Sequence, residues 1–257
     1  MARSPFCSVV TICLDEVQQI RATCDSIIGL PAGHYEWIVI DGGSRDGTLD
    51  VLADYRPYMR AFVSEPDSGI YNAMNKGAAL ASGEYLLFMN GGDSFFDPDA
   101  LEVVRTARRA DVVVADVKHG HEGDDYLRYP ERISPRWLLK HMLPHQAAFI
   151  RRQLFEQCGG YDEGFRIAGD YELFVRLFTR HGASYQHVPA VTAVFGRGGV
   201  SQSATHRALR KRENHCVRWR YFPSYRFSLK ALREAIRLVR SGSACPPPAF
   251  PKPSNEV

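Results

Sequence analysis

In the first half of the chain, short β-rich runs alternate with stretches of helical periodicity. Residues 8–13 (SVVTIC) read as a first strand and 16–28 as a helix. Residues 36–40 (EWIVI) form a second predicted strand, which stops abruptly at Asp41-Gly42-Gly43. Asp46-Gly47-Thr48 opens a helix through Tyr55, 60–64 is a third strand, and 70–80 is a helix stopped by Ser82-Gly83. Residues 85–89 are an unbroken apolar run, as expected of a strand buried on both faces, and end at Asn90-Gly91-Gly92-Asp93. This alternation predicts an α/β fold with a mainly parallel central sheet flanked by helices.

Beyond that point the pattern loosens. Residues 98–109 and 171–179 carry helical periodicity, with Leu173, Phe174, Leu177 and Phe178 on one face. Strands are predicted over 111–117, 146–150 and 188–195, the last running into a flexible Gly196-Arg197-Gly198-Gly199. The proline-rich segment 241–257 is expected to be a disordered tail. A body over 1–200, in halves of about 1–95 and 96–200, therefore precedes a basic helical extension over 201–240.

Charge sharpens that division. From Gly196 to Arg240 twelve Lys and Arg stand against only Glu213 and Glu234, a net +10. The whole chain carries a formal +3 and the last seventeen residues cancel, so residues 1–195 hold −7. A basic C-terminal quarter suits phosphate groups or an anionic membrane surface. Its basic positions are not interleaved with a recognised nucleic-acid module, so no nucleic-acid partner is expected. No apolar run reaches the roughly 18 residues of a membrane span, and the first strand follows the N-terminus too closely for a secretory signal. Six cysteines without a C-x-x-C pair fit a reduced, cytoplasmic compartment.

The chemistry-bearing residues cluster after predicted strands: Asp41 after the second, Glu65 and Asp67 after the third, Asn90 and Asp93 after the fourth. In open α/β sheets ligands bind beyond the carboxyl ends of the strands. Any one of these turns could be a plain Asp/Asn/Gly turn; three at one sheet edge favour a site. Neither G-x-G-x-x-G after the first strand nor a P-loop is present.

Taken in order, SVVT at 8–11, DGGSRDGT at 41–48, SEPDSGIYNAMNKG at 64–77, GEYLLFMNGGD at 83–93, GYDE at 160–163 and GDYEL at 169–173 resemble the family 2 glycosyltransferases, whose fold is GT-A, a Rossmann-like nucleotide-diphospho-sugar transferase architecture. HQ at 145–146 and GGVS at 198–201 resemble a subgroup that builds bacterial surface polysaccharides and glycolipids. The resemblance implies inverting transfer of a sugar from a nucleoside-diphosphate donor to a hydroxyl of a glycan or lipid-linked acceptor. Asp41 would contact the base, with Thr11 and Asp15 in the same pocket; Asp67, Asn72, Lys76 and Asn90 would lie along the nucleotide sugar. Asp93 would hold Mg²⁺ or Mn²⁺, and Asp170 would be the catalytic base; from sequence alone an Asp opening a helix reads first as an N-cap, and the resemblance reverses that order. His145, Ser201 and Arg207 would serve the diphosphate, a closing loop or the acceptor side.

The chain departs from the family pattern at two places. Asn90-Gly91-Gly92-Asp93 keeps one carboxylate where D-x-D-D is common, which implies weak metal affinity without donor and leaves metal independence open. Asn72 stands where Asp is usual, and Asp15 where Asn is common. A nucleotide-sugar-binding scaffold and a nucleotidyltransferase are the competing classes.

In the extension, Phe222, Tyr225, Leu229, Leu232, Ile236 and Val239 recur at helical spacing beside Arg226, Lys230, Arg233, Arg237 and Arg240. One amphipathic helix over 222–240 is predicted, packed either on the body or on the inner face of the membrane as a peripheral contact.

Overall fold

The computed structural model describes residues 4–120, 123, 125–196, 204–240 and 245. Strand β1 (Cys7–Cys13), helix α1 (Ile20–Ile28), β2 (Tyr35–Asp41), α2 (Thr48–Tyr55), β3 (Ala61–Ser64), α3 (Ile70–Ala79) and β4 (Tyr85–Phe88) form the first half. They are followed by β5 (Ser94–Phe95), α4 (Ala100–Ala107), β6 (Val112–His119), β7 (Tyr126–Leu127), α5 (Pro135–Leu138), β8 (Ala148–Arg151) and α6 (Arg152–Gln157). The chain continues through α7 (Gly169–Arg180), β9 (Tyr185–Phe195), α8 (Ala204–Tyr221), α9 (Pro223–Arg226) and α10 (Leu229–Arg240).

Among the described residues nine strands join one sheet in the order β3-β2-β1-β4-β8-β6-β9-β5, with β7 on β6. Because β8 is antiparallel to both β4 and β6, strands β3, β2, β1, β4, β6 and β9 share one direction. The sheet is mainly parallel, as the sequence pattern predicts. Cys13, Asp41 and Ser64 lie level across β1, β2 and β3, so the loops after these strands leave at one edge. Strand β1 has β2 on one side and β4 on the other. That reversal of strand order opens the crevice in which doubly wound sheets bind ligands.

The strands are buried on both faces, which explains their continuous apolar runs. Val10, Ile12, Ile38, Ile40, Leu86 and Phe88 pack toward α3 and α7, together with Val217, Phe222, Tyr225 and Ala231 from the C-terminal helices. Val9, Trp37, Val39, Tyr85 and Leu87 face the opposite layer, where Ile20, Cys24 and Ile27 of α1, Leu52 of α2 and Val104 of α4 complete a second core.

Three expectations change. Helix α1 starts at Ile20 rather than at residue 16, because the preceding turn is held by the neighbouring loop: the Glu16 N–H donates to Thr48 Oγ1 and the Val17 N–H to Asp46 Oδ2. Strand β8 starts at Ala148, since residues 145–147 form one turn of 3₁₀ helix. The predicted single helix over 222–240 breaks at Phe227-Ser228. Phe222 and Tyr225 are buried, whereas Leu229, Leu232 and Ile236 are exposed, so the apolar stripe serves two different surfaces.

The extension packs against the body. Arg220 pairs with Asp162 at 3.1 Å, Arg218 Nε donates to the Leu139 carbonyl at 2.9 Å, and Tyr221 Oη donates to Glu172. Cys216 and Cys245 form a disulfide, while Cys7, Cys13, Cys24 and Cys158 are buried and free. Motif spacing gave no hint of that bridge, which closes across 29 residues. Apart from Cys245, the tail expected over 241–257 lies outside the described residues, as do the loop at 197–203 and Ser201 within it. Among the described residues no helix is long and apolar enough to cross a membrane.

Candidate active site

A cleft of about 490 Å³ opens at the carboxyl edge of β1 and β4. Its walls come from 12–14 after β1, 67–71 at the start of α3, 90–93 after β4, 145–146 before β8, 165–170 at the head of α7, Phe195-Gly196 at the end of β9, and His206 and Leu209 on α8. Of the residues singled out in the sequence, Asp67, Asn90, Asp93, His145 and Asp170 line it together.

Asp170 stands in the first turn of α7, but it is not that helix's N-cap. The cap position is Ala168 and has no side-chain hydrogen bond. Asp170 Oδ1 accepts the N–H of Tyr171 at 2.7 Å, with the Tyr71 hydroxyl 3.5 Å away. Oδ2 lies 3.4 Å from Nδ1 of His145. On the other side of the ring, the Asn90 amide nitrogen is 3.1 Å from Nε2. With that amide as donor, Nε2 accepts and the ring proton sits on Nδ1, facing Asp170. Burial, reinforced by the charge of Asp170, raises the Tyr71 hydroxyl well above its usual range, so it remains a donor.

Helix α7 is fixed from behind. Glu172 and Arg176, both almost fully buried, form an ion pair at 3.0 Å. Arg176 also donates to the carbonyls of Cys158 and Gly160.

Asp93 is only 5% exposed, and burial raises its carboxyl above the ordinary range, against the opposing pull of His145 and the Gly196 N–H. That N–H donates to Oδ1 at 2.9 Å. Glu16, which sequence reasoning placed only at a helix start, lies across Gly91 and is likewise raised, by burial first and then by Asp46 and Asp93. The Asn90 Oδ1 atom is buried without a partner. One carboxylate and one free amide oxygen are hard donors that suit Mg²⁺ or Mn²⁺ when phosphate oxygens and water complete the shell. No cluster of three or more His, Cys, Asp or Glu among the described residues could hold a metal alone.

Other expected site residues lie behind or beside the cleft. Thr11 is fully buried, its hydroxyl accepting from Trp37 Nε1 at 2.9 Å. Asp41 is also fully buried; its carboxylate accepts from the N–H groups of Gly43 and Ser44 and from the hydroxyls of Ser44 and Ser64. Asp15, at φ 53°, accepts the Arg45 N–H at 2.8 Å. These three brace the base of the cleft rather than line it. Asn72 donates to Glu163 at 3.0 Å, and Lys76 pairs with Glu65 at 2.7 Å. Arg207 is exposed on α8. Asp67 lines the cleft with its carboxylate close over Gly42, where an added Cβ would stand 2.6 Å from Oδ2.

Sequence reasoning missed Glu16, Tyr71, Gln146, Arg166 and His206 as cleft-lining residues. The HQ motif could have pointed to Gln146 and the motif at 64–77 to Tyr71, while nothing in the local sequence marks the others.

A family model described as glycosyl transferase family 2 matches residues 8–168. An uncharacterized glycosyltransferase of Mycobacterium tuberculosis is 37% identical over 183 residues, covering 68% of this chain and 70% of that protein. A PGL/p-HBAD biosynthesis glycosyltransferase of Mycobacterium bovis is 30% identical over 218 residues, covering 81% of this chain and 84% of that protein. Among solved structures, S. aureus TarS 1–349 in complex with UDP-GlcNAc superposes with a TM-score of 0.66 at 15% identity, over 89% of this chain and 69% of that one. The mannosyltransferase PcManGT from Pyrobaculum calidifontis, in complex with GDP-Man and Mn²⁺, gives 0.59 at 20% identity over 98% and 68%. At these identities both likenesses speak to the fold alone.

Proposed function

The chain belongs to glycosyl transferase family 2, and from that premise we propose that it transfers a sugar from a nucleoside diphosphate to a hydroxyl of a glycan or lipid-linked acceptor, with inversion at the anomeric carbon. The observation that carries this reading is the meeting of Asp93, His145 and Asp170 in one cleft at the strand-order reversal. In a single displacement the acceptor oxygen forms a bond to the anomeric carbon as the bond from that carbon to the diphosphate oxygen breaks. Asp170 Oδ2 takes the hydroxyl proton, and the electron pair of the broken bond leaves with the nucleoside diphosphate. His145, hydrogen-bonded to Asn90 and with Nδ1 3.4 Å from Oδ2 of Asp170, would set the direction of that carboxylate.

Asp93 and the Asn90 amide oxygen would hold a divalent cation, which when bound supplies charge stabilisation to the departing diphosphate. Asp41, Thr11 and Asp15 would shape the base pocket from below through the loops they brace. Asp67, Asn72 and Lys76 would act along the nucleotide. Arg207, exposed on α8, would serve the diphosphate or the acceptor side. The mycobacterial relative named for PGL/p-HBAD biosynthesis supports an acceptor in glycolipid or surface-glycan assembly.

A peripheral contact with an anionic membrane surface forms part of the same reading. Phe227 is 91% exposed, and Leu229, Leu232 and Ile236 stand out on α10. Arg226, Arg233 and Arg237 are exposed alongside, while Ala231 is buried on the domain side. Apolar side chains flanked by guanidinium groups match an interface of acyl chains beneath anionic headgroups.

The decisive experiment compares Asp170→Asn with the wild type. Transfer should fall about 10²–10⁴-fold, the usual worth of a positioned base, with nucleoside-diphosphate affinity nearly unchanged by calorimetry. Full activity in that variant, or a product that retains the donor's anomeric configuration by NMR, would overturn the proposal.

A further inference from the structure

Helix α8 lies beyond residue 168, where the family match ends, yet His206 and Leu209 on it line the cleft and Glu213 holds the loop that leads into α7. Glu213 is 1% exposed, and its carboxylate is held by backbone N–H groups. Oε1 accepts the Arg166 N–H at 3.0 Å, and Oε2 accepts those of Ile167 at 2.9 Å and Ala168 at 2.8 Å. These three consecutive donors lead directly into Gly169 and Asp170, at the head of a helix whose own cap residue supplies no side-chain bond. A carboxylate on a distant element thus holds the three donors that precede α7, with charge-assisted bonds and with negative charge at the positive end of the helix. Residues 165–167 also line the cleft, so this loop carries both the cleft wall and the base.

We propose that Glu213 is a positioning residue for transfer: it holds the 166–168 loop so that Asp170 Oδ2 stays aimed at the acceptor hydroxyl. The inference rests on Asp170 being the base. Replacing one oxygen by an amide, as in Glu213→Gln, sets a donor against a backbone donor and frees part of the loop. The carboxylate then wanders, and a displacement of about 1 Å can cost about 10²-fold in rate.

The full chain is assayed well below its unfolding temperature as wild type, Glu213→Gln, Asp170→Asn and Tyr225→Phe. The last removes the His215–Tyr225 hydrogen bond of 3.0 Å elsewhere in the extension. Glu213→Gln should lower kcat about 10- to 100-fold, with donor KM and UDP or GDP affinity within about twofold. Tyr225→Phe should lower only the melting temperature. A Glu213→Gln enzyme that melts earlier but keeps the wild-type kcat overturns the inference while leaving the base assignment intact. Activity in Asp170→Asn would instead remove the assignment on which it rests. If Glu213→Gln does not fold, Glu213→Asp, which keeps both oxygens but withdraws them by one methylene, is read by the same split between kcat and KM. Amide exchange at 166–168 in the wild type should be slow and should quicken selectively in either variant; rapid exchange in the wild type would also defeat the inference.

Discussion

The Nδ1 atom of His145 faces Oδ2 of Asp170 at 3.4 Å, across the gap between the 3₁₀ turn before β8 and the head of α7. Removing the ring by His145→Ala frees Asp170 on that side and takes the partner from Asn90. Transfer should drop roughly 10- to 100-fold through loss of orientation, mostly in kcat, while nucleoside-diphosphate affinity changes little. Steady-state kinetics beside calorimetry on the free diphosphate check the split.

Asp93 should show opposite effects on stability and function. Burial raises its folded-state pKa above the unfolded value, so the folded protein keeps the proton to higher pH. The group's contribution to stability is therefore greatest in acid and declines as pH rises from about 4 through its raised folded value. Asp93→Asn should raise the melting temperature at pH 7, and the gain should vanish in acid, as scanning calorimetry at several pH values would show. The same change should weaken Mn²⁺-dependent diphosphate binding by at least about tenfold.

Gly77 lies inside α3, where alanine would favour the helix by about 1 kcal/mol. Packing reverses the sign: an added Cβ would stand 2.3 Å from Val10 Cγ1 and 3.3 Å from Ile40 Cγ1. Overpacking of this kind costs about 1–3 kcal/mol, so Gly77→Ala should be net destabilising in urea titration.

The α10 surface predicts binding to vesicles containing phosphatidylglycerol and little binding to neutral phosphatidylcholine. Arg233→Glu with Arg237→Glu should remove at least about 2 kcal/mol of that attraction, roughly thirtyfold in affinity. Leu232→Asp with Ile236→Asp should abolish binding to both vesicle types. Light scattering that shows a dimer disrupted by the same aspartates would assign the face to a second copy of the chain.

The parallel half of the fold was readable because its signal is local: β1, β2 and β4 are short β-rich runs, and the runs of β2 and β4 stop abruptly at Asp41-Gly42-Gly43 and Asn90-Gly91-Gly92. The site was readable where motifs sit in the loops that leave this edge, as at Asp67, Asn90, Asp93 and Asp170. Thr11 and Asp41 lie at the same edge, but their side chains turn inward to Trp37, Ser44 and Ser64, a direction that residue type does not encode. In the sequence Glu213 is only one of two acids in a basic segment. Its role depends on α8 folding back over 166–168, a contact about 45 residues long in sequence. The break between α9 and α10 escaped periodicity because Phe222 and Tyr225 continue the stripe in phase while packing on another surface.

The order of the strands has one more consequence, for solubility. The two ends of the sheet are β3, four residues long, and β5, only two. Strand β3 runs out at Glu65-Pro66, where a charge and a missing N–H stop any further ladder. A foreign strand therefore finds little backbone to pair with on either rim, which limits edge-to-edge association through the sheet.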